Sequence, residues 1–501
     1  MNALPALLGI LLGLAGLWDL YRKRVSRGKA LPPGPPPSLW GNEIPVLYSW
    51  RYFYNLSHTY GPLMTVWNGW TPIFVISSMQ IADELLEKQA IHSADRPRLI
   101  VAGEIYSHNM RTLLIGYNER LRRLRRALHS QLQPSSARQF RPAQEKAARL
   151  LVADILASPD KFQSHVQTYA ATVVVNLGYG RSGRAFYSDG DIQRLVVGGV
   201  RFGGLLRPGG SYLVESIPWL RYIPGYLREP RQWAADEIAL FRESLANART
   251  KIASGQIQPS LALYMAEEQE KAGLSDDEVA YLCGSIFLAG SDTTVSAIEV
   301  SIMAAATHSA AQKRVQAELD AVIGHERLPN FEDLDELPIL KAFVNEGYRW
   351  RPVTSGGALH RTTAELAYGG YVLPAGSTIS GNHWAIHRDT DYYGSDVESF
   401  NIDRWLQDDG KTFNTDMRTF QYGFGRRVCP GQIVANNSVY ITTAMLLWAF
   451  DIGKMRDASG KEIVIDTLNF SNTFNSHPSP FQASFKPRSP NLPIIAATRL
   501  G

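Results

Sequence analysis

Of the two cysteines in this chain, one sits in a loop built to hold it as an anion. The segment Tyr422-Gly423-Phe424-Gly425-Arg426-Arg427-Val428-Cys429-Pro430-Gly431 surrounds Cys429 with glycines and arginines. Glycines let a loop fold tightly, so that backbone N–H groups converge on one sulfur. From Ile433 to Leu447 the sequence is mostly apolar and free of Gly and Pro, which predicts a helix starting just after the cysteine. A helix N-terminus favours the anion and lowers a thiol pKa. A shielded, donor-stabilised thiolate is a ligand for a soft metal. Outside such a loop a lone cysteine is a small buried hydrophobe, and that is the reading for Cys283.

A second run carries polar groups into an apolar setting. Ser275-Asp276-Asp277-Glu278 is a capping box that opens a helix, and the apolar pattern continues through Ile286 to Thr294 and on towards Ala306. Gly290 inside it costs up to about 1 kcal/mol relative to alanine, a cost suited to a place where a ligand approaches the backbone. Asp292 and Thr293 fit an apolar helix poorly unless they serve a polar task. The bland account of Thr293 is a hydroxyl bonded back to its own helix. A third run, from Pro338 to Pro352, reads as a helix with Glu346 and Arg349 three apart on one face. A fourth, Arg120 to Arg126, packs five arginines into seven positions, which by itself is a solvated basic face.

These groups need a scaffold. Leu63 to Trp67, then Asn68-Gly69, then Trp70 to Ile76 predicts a hairpin with a tight turn, and a second turns at Gly369-Gly370. Between them, roughly 120 to 350, apolar residues recur at helical spacing. The expected fold is mainly α (α+β), a single helical domain with small β-sheets over 41–501, preceded by a transmembrane helix over 1–21 and a basic, proline-rich linker over 22–40. Ala3 to Leu20 is apolar apart from Asp19, and the charges of Arg22, Lys23, Arg24, Arg27 and Lys29 follow it. A spanning helix needs about 20 mostly apolar residues. Positive charge after the run places the following body on the cytosolic side, whereas a cleaved signal carries its charge before it. The net charge of +4, from 51 basic and 47 acidic residues, excludes a broad nucleic-acid-binding surface. Two cysteines form no disulfide framework, which fits a reducing compartment.

The Ala289-Gly290-Ser291-Asp292-Thr293-Thr294 run, the Glu346-Gly347-Tyr348-Arg349 step and the cysteine loop, in that order towards the C-terminus, resemble the cytochrome P450 family over nearly the whole chain. The loop departs from the family only in having Tyr422 for the usual phenylalanine. The resemblance implies a cysteine-ligated haem, with Cys429 as axial iron ligand and Gly431 beside it. It implies propionate partners Arg125, Arg361 and Arg427. Leu121 stands where the family has tryptophan, and His129 is the candidate to supply the missing hydrogen bond. Asp292 and Thr293 are implied as the proton relay, and Arg404, in Phe400-Asn401-Ile402-Asp403-Arg404-Trp405, as third member of the network with Glu346 and Arg349. The implied activity is monooxygenation of an apolar small molecule, an intermediate of fungal secondary metabolism. The implied electron source is an NADPH-cytochrome P450 reductase, drawn to the outward arginines, at the endoplasmic reticulum membrane. The alternatives are a non-catalytic haem-thiolate ligand sensor, an isomerase or dehydratase working without O2 on the same fold, and a haem-free scaffold.

Overall fold

The computed structural model describes residues 13, 16–21, 25, 28–206, 212–256 and 258–492. Most of the expected anchor over 1–21 lies outside the described residues. Residues 16–21 are helical, and Trp18 packs its ring 5.1 Å from Trp67 and 5.2 Å from Trp70. The proline-rich linker is no free spacer. Thr65 donates from its N–H to the Pro33 carbonyl at 2.8 Å and from its hydroxyl to the Pro32 carbonyl at 2.8 Å.

The chain forms two compact units that alternate along the sequence. The first comprises the residues up to Arg98, Thr354–Asp396 and Tyr422–Val428. Strands β1 (Leu63–Asn68) and β2 (Thr71–Ile76) pair antiparallel, around Gly69 at φ +57°. Later in the chain come β3 (His360–Arg361), β4 (Leu366–Tyr368), β5 (Tyr371–Leu373) and β6 (Thr378–Gly381). Strand β6 lies parallel to β2 and antiparallel to β3, giving the order β1-β2-β6-β3. Strands β4 and β5 form the second hairpin, with Gly369 and Gly370 both at positive φ, as a two-residue hairpin turn demands.

The second unit, Leu99–Val353, Val397–Gln421 and Cys429 onward, is helical. Its main helices are α1 (Glu119–Leu132), α2 (Arg141–Ala157), α3 (Phe162–Tyr179), α4 (Gly190–Leu205), α5 (Arg228–Ala253), α6 (Asp276–Thr307), α7 (Pro338–Trp350) and α8 (Gln432–Ala449). Strands β7 (Phe450–Lys454) and β8 (Ala483–Pro487) pair at its C-terminal end. Helix α6 is the axis, packed by α3, α5, α7 and α8. Its capping box is formed in both directions, Glu278 N–H to Ser275 Oγ at 3.2 Å and Ser275 N–H to Glu278 Oε2 at 3.1 Å. The helix is long and apolar enough to cross a membrane, yet 61% of its most apolar stretch is buried inside the protein. Its apolar character is that of a core helix.

Two glycines let that axis be crowded. A side chain at Gly284 would run into the Phe241 ring of α5, and one at Gly290 would meet Val174 Cγ1 of α3 at 2.6 Å. Gly290 is therefore required by the packing of α3 against α6, and the cost expected of it serves helix approach. Overpacking of this kind costs about 1–3 kcal/mol. Gly290→Val should lower stability by that amount in urea denaturation, and Val174→Ala in the same chain should recover part of it.

Candidate active site

Cys429 stands at the start of α8, two residues before Gly431. Burial pushes its thiol up, while the Gly431 N–H and the Arg125 charge pull it down. The net direction is upward, as burial favours the neutral thiol. Arg125 is held below its ordinary pKa, chiefly by burial, with the Cys429 sulfur opposing that shift. Arg125 and Cys429 thus act on one another electrostatically within the second unit. His129 does not join them. It is exposed on α1, seven residues from exposed Arg122, whereas Leu121, Leu124 and Leu128 form the buried face. Cys283 is fully buried and its thiol pushed up to about 12, an inert core residue.

In the first unit the loop before the cysteine is tied down. Gly425, at φ +49°, donates its N–H to Glu87 Oε1 at 2.7 Å. A Cβ there would meet the Leu86 carbonyl at 2.5 Å, so the position admits only glycine. Phe424 is buried, Arg426 exposed and Arg427 buried, with the Arg427 guanidinium donating to the Ala94 carbonyl. Arg361 takes another direction. It is 47% exposed and ion-paired to Asp95 at 3.4 Å, because on a strand alternate residues face opposite sides. Its neighbour His360 is the one turned inward, 2% exposed, with Nδ1 2.8 Å from the Ser93 carbonyl. Burial and the charges of Arg96 and Arg427 hold that imidazole neutral. Arg96, buried beside the Ala358 and Leu359 carbonyls, was not legible in the sequence.

The ionic network of the second unit is complete. Arg349 grips Glu346 through Nε to Oε2 at 2.8 Å and Nη2 to Oε1 at 2.7 Å, and Arg404 Nε lies 3.2 Å from Glu346 Oε2. Trp405 Nε1 and the Asn401 N–H also donate to that carboxylate, both at 2.8 Å. Arg349 reaches on to the Val397 and Ser399 carbonyls. Glu346 and Arg349 are fully buried.

On α6 the Thr293 hydroxyl donates to the Ala289 carbonyl at 2.7 Å, the back-bonded arrangement. Asp292, half-exposed, is met by Asn475 Nδ2 at 2.7 Å and by His477 Nε2 at 2.9 Å. Burial acts to raise the Asp292 carboxyl, but these contacts outweigh it and hold it below the ordinary range. Glu299, 3% exposed, is pushed by burial to about 7, against His477 and the Gln163 amide. Neither His477 nor Glu299 carried a sequence signal, since both pair across long stretches of chain. The same holds for a buried knot farther along: Arg111 and Glu237 are 2.7 Å apart, Tyr106 and Tyr281 donate to the same carboxylate, and Phe202 lies 4.0 Å beneath the guanidinium.

The cytochrome P450 family model matches residues 32–485. The chain belongs to the cytochrome P450 family. It is 45% identical over 476 residues to cytochrome P450 monooxygenase 88 of Postia placenta, covering 95% of this chain and 94% of that one. Cytochrome P450 monooxygenase 113 of the same fungus is 41% identical over 494 residues, 98% of each, and cytochrome P450 monooxygenase aneD of Aspergillus aculeatus is 32% identical over 497 residues, 98% of this chain and 94% of that one. This P450 is an oxidoreductase that incorporates oxygen, with cysteine-ligated haem as its cofactor. The donor set of the second unit suits that group: one sulfur at a helix N-terminus, bonded by an N–H and acted on by a guanidinium charge.

Removing one member of a buried ion network strands the rest, at about 3–5 kcal/mol. Glu346→Ala should lose at least that much in denaturant titration and yield little soluble protein. Glu299 gives a pH signature. Its folded pKa of about 7 lies above the ordinary 4.5, so the fold holds the proton more tightly than the unfolded chain does. Stability should fall as pH rises from 4.5 to 7, at about 1.4 kcal/mol per unit at most. Glu299→Gln should flatten that fall.

Proposed function

We propose that Cys429 is the axial ligand of the haem iron, with Gly431 donating to its sulfur, in an NADPH-driven monooxygenase of apolar small molecules. The observation that carries this reading is the position of Cys429 just before helix α8, with the Gly431 N–H bonded to its sulfur and the Arg125 charge acting on it. Arg125 and Arg427 would pair with propionates. Buried Arg96 and His360 would take the role expected of Arg361, which is turned to solvent.

Haem supplies the centre at which O2 is reduced and one oxygen atom enters the substrate, the other leaving as water. That reduction consumes protons, which a dry site must receive from placed side chains. Asp292 holds a carboxylate one residue from Thr293, whose hydroxyl, donating to Ala289, keeps its oxygen lone pairs free to accept. Asp292 and Thr293 form the relay, the acid exchanging protons with solvent and the hydroxyl passing them inward. Glu346, Arg349 and Arg404 are structural: every atom of that carboxylate is engaged by protein donors.

Electrons come from a separate NADPH-cytochrome P450 reductase. Exposed Arg122 and Arg126 on α1 offer a basic face to an acidic flavoprotein, which steers association over a Debye length of about 8–10 Å. The substrate belongs to fungal secondary metabolism, in keeping with the fungal relatives, and the apolar N-terminal run fixes the enzyme to the endoplasmic reticulum membrane with its body in the cytosol.

The reduced, carbon monoxide-bound difference spectrum tests the ligand. The wild type should show the strongly red-shifted Soret band of a thiolate-ligated haem, and Cys429→Ala should lose it. A histidine-like band in both would sink the assignment.

A further inference from the structure

The segment from Phe470 to Pro478, closed on itself by a bridge between those two residues, meets α6 at Asp292. It is fastened from several sides. Ser296 Oγ of α6 donates to the Ser476 carbonyl at 2.6 Å, and the Ser476 N–H donates to the Val353 carbonyl at 2.6 Å. Within the segment, the Ser471 N–H bonds the His477 carbonyl at 2.8 Å and the His477 N–H bonds Ser471 Oγ at 3.0 Å. The backbone on both sides of the imidazole is thereby fixed. Its Nε2 lies 2.9 Å from Asp292 Oδ1, while Asn475 Nδ2 takes Oδ2 at 2.7 Å. Each carboxylate oxygen thus has a neighbour, the Asn475 amide on one and the imidazole on the other.

The surroundings make the imidazole matter. Glu299 lies seven residues along the same helix, two turns from Asp292 on the same face, and its charge acts on His477 too. From α3, Gln163 Nε2 donates to Glu299 Oε1 at 3.4 Å. From the segment before α4, Tyr187 feels Asp292, its phenol raised by burial and by that charge. Among the described residues, the positive charge acting on Asp292 comes from His477.

We infer that His477 is a positioning residue for the Asp292–Thr293 relay, holding the carboxylate's aim and its ionised state from outside the helix. The inference rests on the relay reading given above. Asp292 and Glu299 together outweigh burial and raise the His477 pKa above its ordinary 6.5. A raised histidine contributes stability that is present below 6.5 and lost as pH rises through the folded value. The ion pair, and the aim it gives Asp292, are therefore lost on the alkaline side.

Two measurements test this on the full-length, haem-loaded protein. The first uses ring-13C histidine labelling and NMR titration, with His477→Asn to assign the signal. His477 should titrate above 6.5 in the wild type and distinctly lower in Asp292→Asn, where only the Glu299 charge still opposes burial; an unchanged value in that variant overturns the inference. The second follows NADPH oxidation with reductase and no added substrate, across pH and in D2O. His477→Ala should slow it about fivefold or more and abolish the alkaline limb of its pH profile, with a retained carbon monoxide spectrum showing intact haem binding. His477→Gln should restore part of the rate without the limb. A His477→Ala profile matching the wild type, beside a slow Asp292→Asn enzyme, overturns the positioning role alone. Should Asp292→Asn itself oxidise NADPH at the wild-type rate and isotope effect, the relay reading falls with it.

Discussion

Every carboxylate that helix α6 carries must find a cation or a donor, and much of the second unit is arranged to provide one. At its start Glu278 takes Arg120 and Arg123, each at 2.9 Å, while Asp276 and Asp277 pair with Arg249 and Arg242. Midway, Asp292 takes His477 and Asn475. Glu299 has the Gln163 amide and the His477 charge to oppose its burial, and burial outweighs both. An unpaired charge in a low-dielectric interior costs several kcal/mol, so buried Glu278 ties α1 to this helix by charge as well as by apolar contact, while the exposed pairs of Asp276 and Asp277 with α5 add little. Close approach through Gly284 and Gly290 brings α5 and α3 near enough for that to hold.

The same reasoning explains the cage around Glu346. Its oxygens receive two arginines, an indole N–H and a backbone N–H, and Arg349 spends its remaining donors on two carbonyls. No polar atom there waits for a ligand. The Asp292 site is different in kind, because its acid is half-exposed and held by a residue whose charge varies near neutral pH. One is sealed from solvent and the other open to it.

Several expectations from the residues met a different outcome, each for a reason outside local sequence. Gly290 suggested a ligand at the backbone, and the structure places Val174 there. His129 shares its helix with Arg125 but lies on the solvent face. In His360-Arg361 the arginine looks like the buried partner by charge; pleat direction gives that place to the histidine. Within the expected linker, the Pro32 and Pro33 carbonyls accept from Thr65, a partner the local sequence does not announce.

The chain by itself determined whatever depends on near neighbours: the two hairpins with their glycine turns, the capping box of α6, the helix after Cys429 and the Glu346–Arg349 pair, since three or four residues fix these geometries. It also marked Arg404, through a motif at a distance. Tertiary structure alone decided which buried groups share a space. His477 reaches Asp292 across 185 residues and Arg111 reaches Glu237 across 126, and nothing in either segment announces its partner. A pairing of that span is set by how helices and loops pack, because only the packed whole determines which charges are denied water and must find each other.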